Sequence, residues 1–364
     1  MGARGGKKQE QQLTANTVFD RKVSGKVKLG IGLGFLAILV LSVGLGRYTI
    51  QLGYGPLDTL KVIWLHFANP EALTREADAG LHGLDGSIFT DRLPRIILVL
   101  LVGAALSTAG AAYQGMFKNP LVSPDLLGAS AGASLGACLA MLAGQADIVV
   151  QLGAFCGGLV AVGITVWLRN MIKSDAILGL VLAGMLVSSL FQSGMSFVKL
   201  VADTNNQLPT ITYWLMGSFH SSQWKDVALA IVPMLVGFAL MLSQAWKLNV
   251  MSFGDDEARA MGVNTRRARL IVIFGATLVA STSVAVSGII GWVGLVIPHF
   301  ARAMVGPNYK ALLPACMFVG AAYLLVIDDL ARLLLTVEIP IGILTAVLGV
   351  PFFLVIFRKT NTGW

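Results

Sequence analysis

Nine stretches of this sequence are apolar and contain no charged side chain. Their limits are 29–46, 96–113, 126–146, 148–168, 176–198, 227–246, 270–301, 311–327 and 339–357. A helix needs about 20 such residues to cross about 30 Å of hydrocarbon. Only 13% of the residues are charged, whereas a soluble domain carries about 25%. The sequence therefore predicts an all-α polytopic membrane protein and excludes an ordinary soluble enzyme.

One of these runs is too long for a single crossing. As one helix, 270–301 would extend for about 48 Å at 1.5 Å per residue. Gly288 and Gly291 offer a place to turn. A split near 288–292 brings the expected number of transmembrane helices to about ten.

The basic residues indicate the orientation of these helices. With ten crossings, both termini lie on the side that holds most of the 27 lysines and arginines. Cytoplasmic loops carry this excess, so both termini are expected in the cytoplasm. We expect a mobile, basic cytoplasmic tail at 1–28 and a ten-helix transmembrane domain at 29–358.

The chain lacks the motifs of a nucleotide-binding protein or a metalloenzyme. It contains neither G-x-x-x-x-G-K-[ST] nor HExxH. Its three cysteines lie in apolar runs, away from any histidine and without CxxC spacing, which favours small buried hydrophobes over metal ligands. They are Cys138, Cys156 and Cys316. No cofactor, metal site or catalytic residue is expected in this chain.

Small residues recur every fourth position in the third run. Gly128, Gly132 and Gly136 predict close packing between helices of the same chain, in preference to a dimer contact. The second run, which is also rich in small residues from Gly103 to Ala112, is the expected packing partner.

The fifth run contains a polar stripe. Its members share neighbouring positions on one helical face, and they are Ser188, Ser189, Gln192, Ser193 and Ser196. Polar residues in a span usually face the bundle interior or a water-filled cavity. From the residues alone, a substrate path and ordinary interhelical hydrogen bonding are equally good interpretations.

Charged groups collect at the outer ends of the second run and of the run 311–327. Arg92 and Arg95 oppose the positive-inside trend, which indicates either snorkelling side chains or a docking point for an acidic partner. Asp328, Asp329 and Arg332 follow the run 311–327, which is the ninth predicted helix after the split, and there they can reach water.

The longest inner connection between runs predicts a short helix. Acidic residues at its start complement the helix dipole and Gly262 suits its end. The connection is either a socket for a cytoplasmic partner or an ordinary charged loop.

Together these motifs resemble the FecCD family, the permease subunits of type II ABC importers for iron chelates, haem and vitamin B12. The resemblance covers about 29–358 and rests on motifs in the family order. They are RLPR at 92–95, GAALS at 103–107, KNPLVSPDLLG at 118–128, GLVIPH at 294–299, EIPIG at 338–342 and GVP at 349–351.

The resemblance implies an assembly in a prokaryotic inner membrane. It contains a second permease subunit, expected to be another copy of this chain, and two cytoplasmic ATP-binding subunits that hold ATP and Mg. An extracytoplasmic substrate-binding protein delivers the cargo. This chain would be a transport subunit and no enzyme, in contact with lipid and without nucleic acid.

The resemblance also implies roles for individual residues. Arg92, Arg95 and Arg332 match arginines that meet acidic residues of the binding protein. The segment 252–264 matches the coupling helices that contact the ATPase, with contacts expected from Gly254, Asp255, Asp256, Glu257, Ala258, Arg259, Met261 and Gly262. The polar stripe of the fifth run is assigned to the translocation path. A cytoplasmic gate is expected where that run begins, at Ser174, Asp175, Ile177 and Leu178.

The cargo stays open at this point. A ferric siderophore is favoured because it is the commonest cargo that the resemblance implies; haem, cobalamin and molybdate are alternatives. An ion-coupled secondary transporter is less favoured, because such carriers usually place carboxylates in mid-span, and none lies deep in these runs.

Overall fold

Fourteen α-helices, and no strand, make up the part of the chain that the structure describes. This computed structural model describes residues 24–45, 56–68, 85–171 and 176–360, with side chains up to position 354. The helices are α1 (Gly25–Gly44), α2 (Pro56–Ala68), α3 (Leu93–Phe117), α4 (Ala129–Leu142), α5 (Asp147–Met171), α6 (Ala176–Val201), α7 (Gln207–Leu215), α8 (Trp224–Ser243), α9 (Ala245–Met251), α10 (Asp255–Ala260), α11 (Thr265–Ser287), α12 (Val293–Val305), α13 (Tyr309–Leu333) and α14 (Ile341–Thr360).

Ten apolar helices coincide with the ten predicted crossings. Within the described ranges, seven are long and apolar enough to span a membrane, namely α1, α3 with the preceding π-turn, α5, α6, α8, α11 and α13. Three are shorter apolar helices, namely α4, α12 and α14. The all-helical polytopic prediction is confirmed, whereas the number of crossings and the side of the termini stay predictions. Of the predicted tail 1–28, residues 1–23 lie outside the described residues.

The long run breaks where the sequence predicted. Helix α11 ends at Ser287 and α12 begins at Val293. Gly288 and Trp292 between them both have a φ of 68°. A Cβ on Gly349 would lie 2.8 Å from the Trp292 Cβ, so the turn is packed against α14. Irregular backbone is tolerated at membrane depth where protein covers it.

Helix α3 forms the centre of the bundle. It packs against α8, α11, α12 and α13. Within its most apolar 18-residue stretch, 83% of the residues are buried. The approach of α12 is very close, since a Cβ added to Gly110 would lie 1.8 Å from the Gly294 carbonyl oxygen. The small residues of α3 therefore allow direct contact between helix backbones.

The glycines of the third run also pack within the chain, as predicted. Their partner is α5, however, and the expectation that the second run would fill this role was wrong. A Cβ on Gly136 would lie 2.0 Å from the Gly153 carbonyl oxygen, and one on Gly132 would lie 2.4 Å from that of Gly157. Helix α5 carries its own small residues at matching spacing, so it approaches α4 more closely than α3 does.

The cysteines divide into two groups. Cys138 and Cys316 are buried, as predicted, but Cys156 is exposed on α5. A uniformly apolar sequence does not reveal which side of a helix faces the bundle. The prediction that Cys156 is buried was wrong for this reason.

Candidate functional site

Four segments that are distant in sequence meet at the predicted outer end of the bundle. They are the end of α1, the start of α3, the end of α13 and the loop before α14. We call their charged residues the outer ion cluster, and it comprises Arg92, Arg95, Asp328, Asp329, Arg332 and Glu338. Three arginines face three carboxylates, so the cluster is formally neutral.

Arg95 uses its whole guanidinium within the cluster. Its Nε and Nη2 donate to Asp328 Oδ1 at 3.0 and 2.8 Å. Its Nη1 donates to both oxygens of Glu338 at 3.0 Å. Asp328 is completely buried, so this bidentate pair joins α3 to α13 in a dry environment, where charged hydrogen bonds are strong.

Arg332 lies on the other side of the same carboxylate. Its Nε is 3.1 Å from Asp328 Oδ2, and its Nη2 donates to Asp329. Ser42 of α1 donates to Asp329 at 2.8 Å. Arg92 extends the contact to α1 because its Nη1 donates to the Val43 carbonyl at 2.9 Å.

The arginines predicted to dock a partner are therefore largely buried within this chain. Arg92, Arg95 and Arg332 are 5–7% exposed. Glu338 is more accessible and also lies 3.5 Å from Nδ1 of His220, an exposed side chain. Burial raises the pKa of Glu338, but the positive charges of Arg95 and His220 outweigh it and hold the pKa below its ordinary value. The docking role of the arginines stays a prediction.

The predicted inner helix forms at Asp255–Ala260. Gly254 precedes it with a φ of 145°, and a Cβ there would lie 1.8 Å from Glu257 Oε2. Gly262 follows it with a φ of 82°, a conformation that favours glycine. The two glycines therefore delimit a short, sharply turned segment, as the sequence predicted.

Two interactions hold this segment against the bundle. Ala258 is completely buried in an apolar cluster with Val250, Met251, Val263 and Ala268. Asp255 carries the polar contact, an ion pair with Arg269 of α11. The opposite side faces outward and includes Asp256, Arg259 and Met261.

The polar stripe of the fifth run lies on the open side of α6. Ser189, Gln192, Ser193 and Ser196 are exposed in this chain, whereas Ser188 is half-buried. A Cβ on Gly128 would lie 3.2 Å from the Ser188 Oγ, so Ser188 points towards the turn before α4. The structure thus places four of the five residues on one open face.

Three hydroxyls of this face are bonded to their own helix. Ser189, Ser193 and Ser196 each donate to the carbonyl four residues earlier, at 2.9, 2.9 and 3.1 Å. Large apolar side chains flank them, and these include Leu186, Leu190 and Phe197. In the isolated chain α6 therefore has one uncovered face, with both hydroxyl and apolar surface.

The predicted gate falls partly outside the described residues. Ser174 and Asp175 lie there. Ile177 is half-buried and packs against the main core, whereas Leu178 is 52% exposed. The described part of the gate is thus the apolar first turn of α6.

Sequence reasoning missed the partners of the charged residues and an outer cavity. The cavity has a volume of about 800 Å³ and lies among α5, α7 and α8. Its lining includes Gln151, Trp214, His220 and Asp226. The interleaved Gln, Ser and Thr residues of these helices were a compositional signal for a polar pocket. Helix α7 itself was not predicted from the sequence.

A pattern G-x-S-x-G at 128–132 was also overlooked. In hydrolases this spacing places an exposed serine on a strand-to-helix turn. Here Ser130 is in the first turn of α4 and donates to Asp125. The local structure is a helix start within a packed bundle, which does not have the geometry of a nucleophile elbow.

An all-helical polytopic chain with a charged outer end and a glycine-bounded inner helix has the architecture of an ABC permease. The chain belongs to the FecCD transport family, which matches residues 34–359. It is 37% identical over 341 residues to the molybdate import system permease protein MolB of Haemophilus influenzae, covering 93% of this chain and 97% of that protein. It is also 37% identical over 329 residues to the Fe(3+)-citrate import system permease protein YfmE of Bacillus subtilis, covering 89% and 95%.

A solved structure supports the same assignment. A metal-chelate type ABC transporter in an inward-facing conformation has a TM-score of 0.79 to this chain at 37% identity, covering 92% of this chain and 100% of that one. The chain is thus a multi-pass ABC importer permease, a transport component and not an enzyme. ATP hydrolysis in this family is carried out by separate subunits, so the chain works in a complex with ATPase and permease partners.

Proposed function

We propose that this chain forms the translocation path for a ferric siderophore, together with a second copy of itself, in a prokaryotic inner membrane. The observation that carries the proposal is the open face of α6. Polar side chains in a membrane-spanning helix usually face the bundle interior or a water-filled cavity, so the polar residues on this 26-residue helix favour a partner or an aqueous path. A path between two such faces suits a bulky chelate with both polar and apolar surface.

The identity of the cargo is supported by names of similar proteins. The Bacillus subtilis relative is named for ferric citrate, and the similar structure is described as a metal-chelate type transporter. Haem and cobalamin are cargoes of the same bulky class. Molybdate is the second candidate, because the Haemophilus influenzae relative is named for it.

We also propose that the loaded binding protein docks at the outer ion cluster. Arg92, Arg95 and Arg332 supply planar guanidinium groups, which recognise carboxylates well. Charged groups at the rim of an interface mainly steer association. Glu338 and His220 mark the part of the cluster that an approaching protein reaches first.

On the inner side, the coupling segment 252–264 is proposed to contact the ATPase subunits. Its outward residues offer both charge and an apolar contact at Met261, which is 57% exposed. Its inward side is fixed to the bundle through Ala258. A movement of the ATPase subunits would therefore be transmitted through this segment to the transmembrane helices.

The cargo is tested by titrating the cognate binding protein with ferric siderophores, haem, cobalamin and molybdate. The protein must first be shown to associate with this permease in detergent. We expect tight binding of a ferric siderophore. Binding of molybdate alone would replace the siderophore proposal with the second candidate and leave the transporter assignment intact.

Docking is tested with the Arg92→Glu variant. We expect its affinity for the binding protein to fall by about tenfold, as for loss of one favourable charge contact. Lys225→Glu, an exposed residue elsewhere on the outer side, is the matched control. Equal affinity of the two variants would contradict the docking site.

A further inference from the structure

Asp255, the first residue of the coupling helix, is held between two other helices. Both of its oxygens accept from Nη2 of Arg269 at 2.7 Å. Arg269 belongs to the first part of α11, and its side chain is only 8% exposed. The Lys118 Nζ, at the inner end of α3, lies 3.9 Å from the same carboxylate.

Helix ends place two of the three residues. Lys118 is the C-cap of α3 and has a φ of 51°, one of two positive values among the described non-glycine residues. This conformation turns the chain so that the lysine can reach Asp255. Asn264 caps α11 by accepting from the Arg267 backbone N–H at 2.9 Å, which fixes the helix turn that carries Arg269.

The Arg269 contact differs in kind from the other contacts of the segment. Ala258 makes only apolar packing contacts, which are non-directional and allow the segment to shift relative to the bundle. The nearly buried Arg269 instead donates from Nη2 to both oxygens of one carboxylate. Such a charge-assisted contact is stronger than a neutral hydrogen bond and holds the two side chains at a short distance. Arg266 and Arg267, on the same helix, are exposed instead.

We propose that Arg269 is a positioning residue for energy coupling, which fixes the coupling helix to α11 through Asp255, with Lys118 adding a link to α3. The inference rests on the proposed function of the segment 252–264. It adds the point at which movement of that segment enters the transmembrane helices. Lys118 lies at the inner end of α3, and the other end of this helix carries Arg95 of the outer ion cluster.

The first test uses the purified permease alone. Hydrogen exchange of the amides in 255–260 is measured in wild type, Arg269→Gln and Arg266→Gln. We expect exchange about tenfold faster in Arg269→Gln, equivalent to about 1.4 kcal/mol of local opening free energy. Arg266→Gln makes the same charge change on an exposed neighbour and should match wild type. Equal exchange in both variants would overturn the proposal.

The second test uses the assembled transporter in proteoliposomes. ATP hydrolysis is measured with and without the binding protein. We expect Arg269→Gln to retain the ATPase subunits and basal hydrolysis but to lose most of the stimulation by the binding protein. The charge exchange Arg269→Asp with Asp255→Arg should restore much of it. Full stimulation in Arg269→Gln would reject the positioning role.

The same experiment separates this proposal from the proposed function. If Met261→Asp, which alters the outward side of the segment, leaves both ATPase binding and stimulation unchanged, the segment is not the ATPase contact. If Met261→Asp abolishes binding while Arg269→Gln behaves as wild type, the contact stands and only the positioning role fails.

Discussion

Arg95 and Asp328 meet in a bidentate ion pair although 233 residues separate them in the chain. The pair closes the outer end of the bundle by joining the central helix α3 to α13. Its carboxylate has no exposed surface, and two arginines depend on it. The pair therefore serves the fold whether or not a partner protein also uses the cluster.

Removing this carboxylate should destabilise the permease strongly. Asp328→Asn leaves Arg95 with Glu338 as its remaining carboxylate and Arg332 with Asp329. The largely buried cluster then carries an excess positive charge, and breaking a buried pair typically costs about 3–5 kcal/mol. We expect a clear loss of thermal stability in detergent. Asp256→Asn, whose side chain is 93% exposed, should change the melting temperature little. Similar melting temperatures for the two variants would contradict the structural role of the pair.

The outer ion cluster should weaken in acid through Glu338. Its pKa is lowered in the folded chain by Arg95 and His220, against the effect of burial. A lowered pKa adds stability above the ordinary value of 4.5, and this stability is lost as the pH falls through the folded-state value. Melting temperatures at pH 7 and pH 4 should therefore differ more in wild type than in Glu338→Gln. An identical pH dependence would show that Glu338 contributes nothing.

The contact between α3 and α12 should not tolerate a methyl group. Gly110→Ala would place a Cβ 1.8 Å from the Gly294 carbonyl oxygen, so the backbones must separate at a cost of about 1–3 kcal/mol. Gly163→Ala is the matched control, because no atom lies within 4 Å of its Cβ position. In a helix interior this change should be neutral or stabilising. Thermal unfolding of both variants measures the difference, and a stable Gly110→Ala protein would contradict the close packing.

The outward side of the coupling segment should bind the ATPase. Met261→Asp replaces an exposed apolar side chain with a charge, and we expect it to reduce co-purification of the ATPase subunits about tenfold or more, as for loss of an interface anchor. Ser221→Asp, on the outer side of the membrane domain, is the control. Normal co-purification of the Met261 variant would locate the ATPase contact elsewhere.

The ten apolar helices and the short inner helix were predictable because each has a local sequence pattern. The apolar runs gave ten helices, and the break at Gly288 was found from length and glycine position alone. The short inner helix was found from its acidic start and from Gly262. Such features depend on neighbours in sequence, which the chain displays directly.

The contacts between helices were not predictable, because they join residues that are far apart in the sequence. The charges of Arg95, Asp328 and Glu338 were visible, but nothing local indicates that three segments bring them together. The third run was likewise assigned to the wrong neighbour, because several runs contain small residues at similar spacing. Only the packed bundle decides which of these candidates meet.

The serine ladder of α6 has a consequence for the kind of solute that the proposed path accepts. Ser189, Ser193 and Ser196 donate their hydroxyl hydrogens to their own helix. On this face a passing solute therefore meets oxygen lone pairs, hydrocarbon and the amide of Gln192, the one side chain of the four that keeps N–H donors. A lining of this type binds no anion or chelate tightly, and weak binding favours release of the solute. The binding protein would then discriminate between cargoes, and the same lining could transport chemically different cargoes.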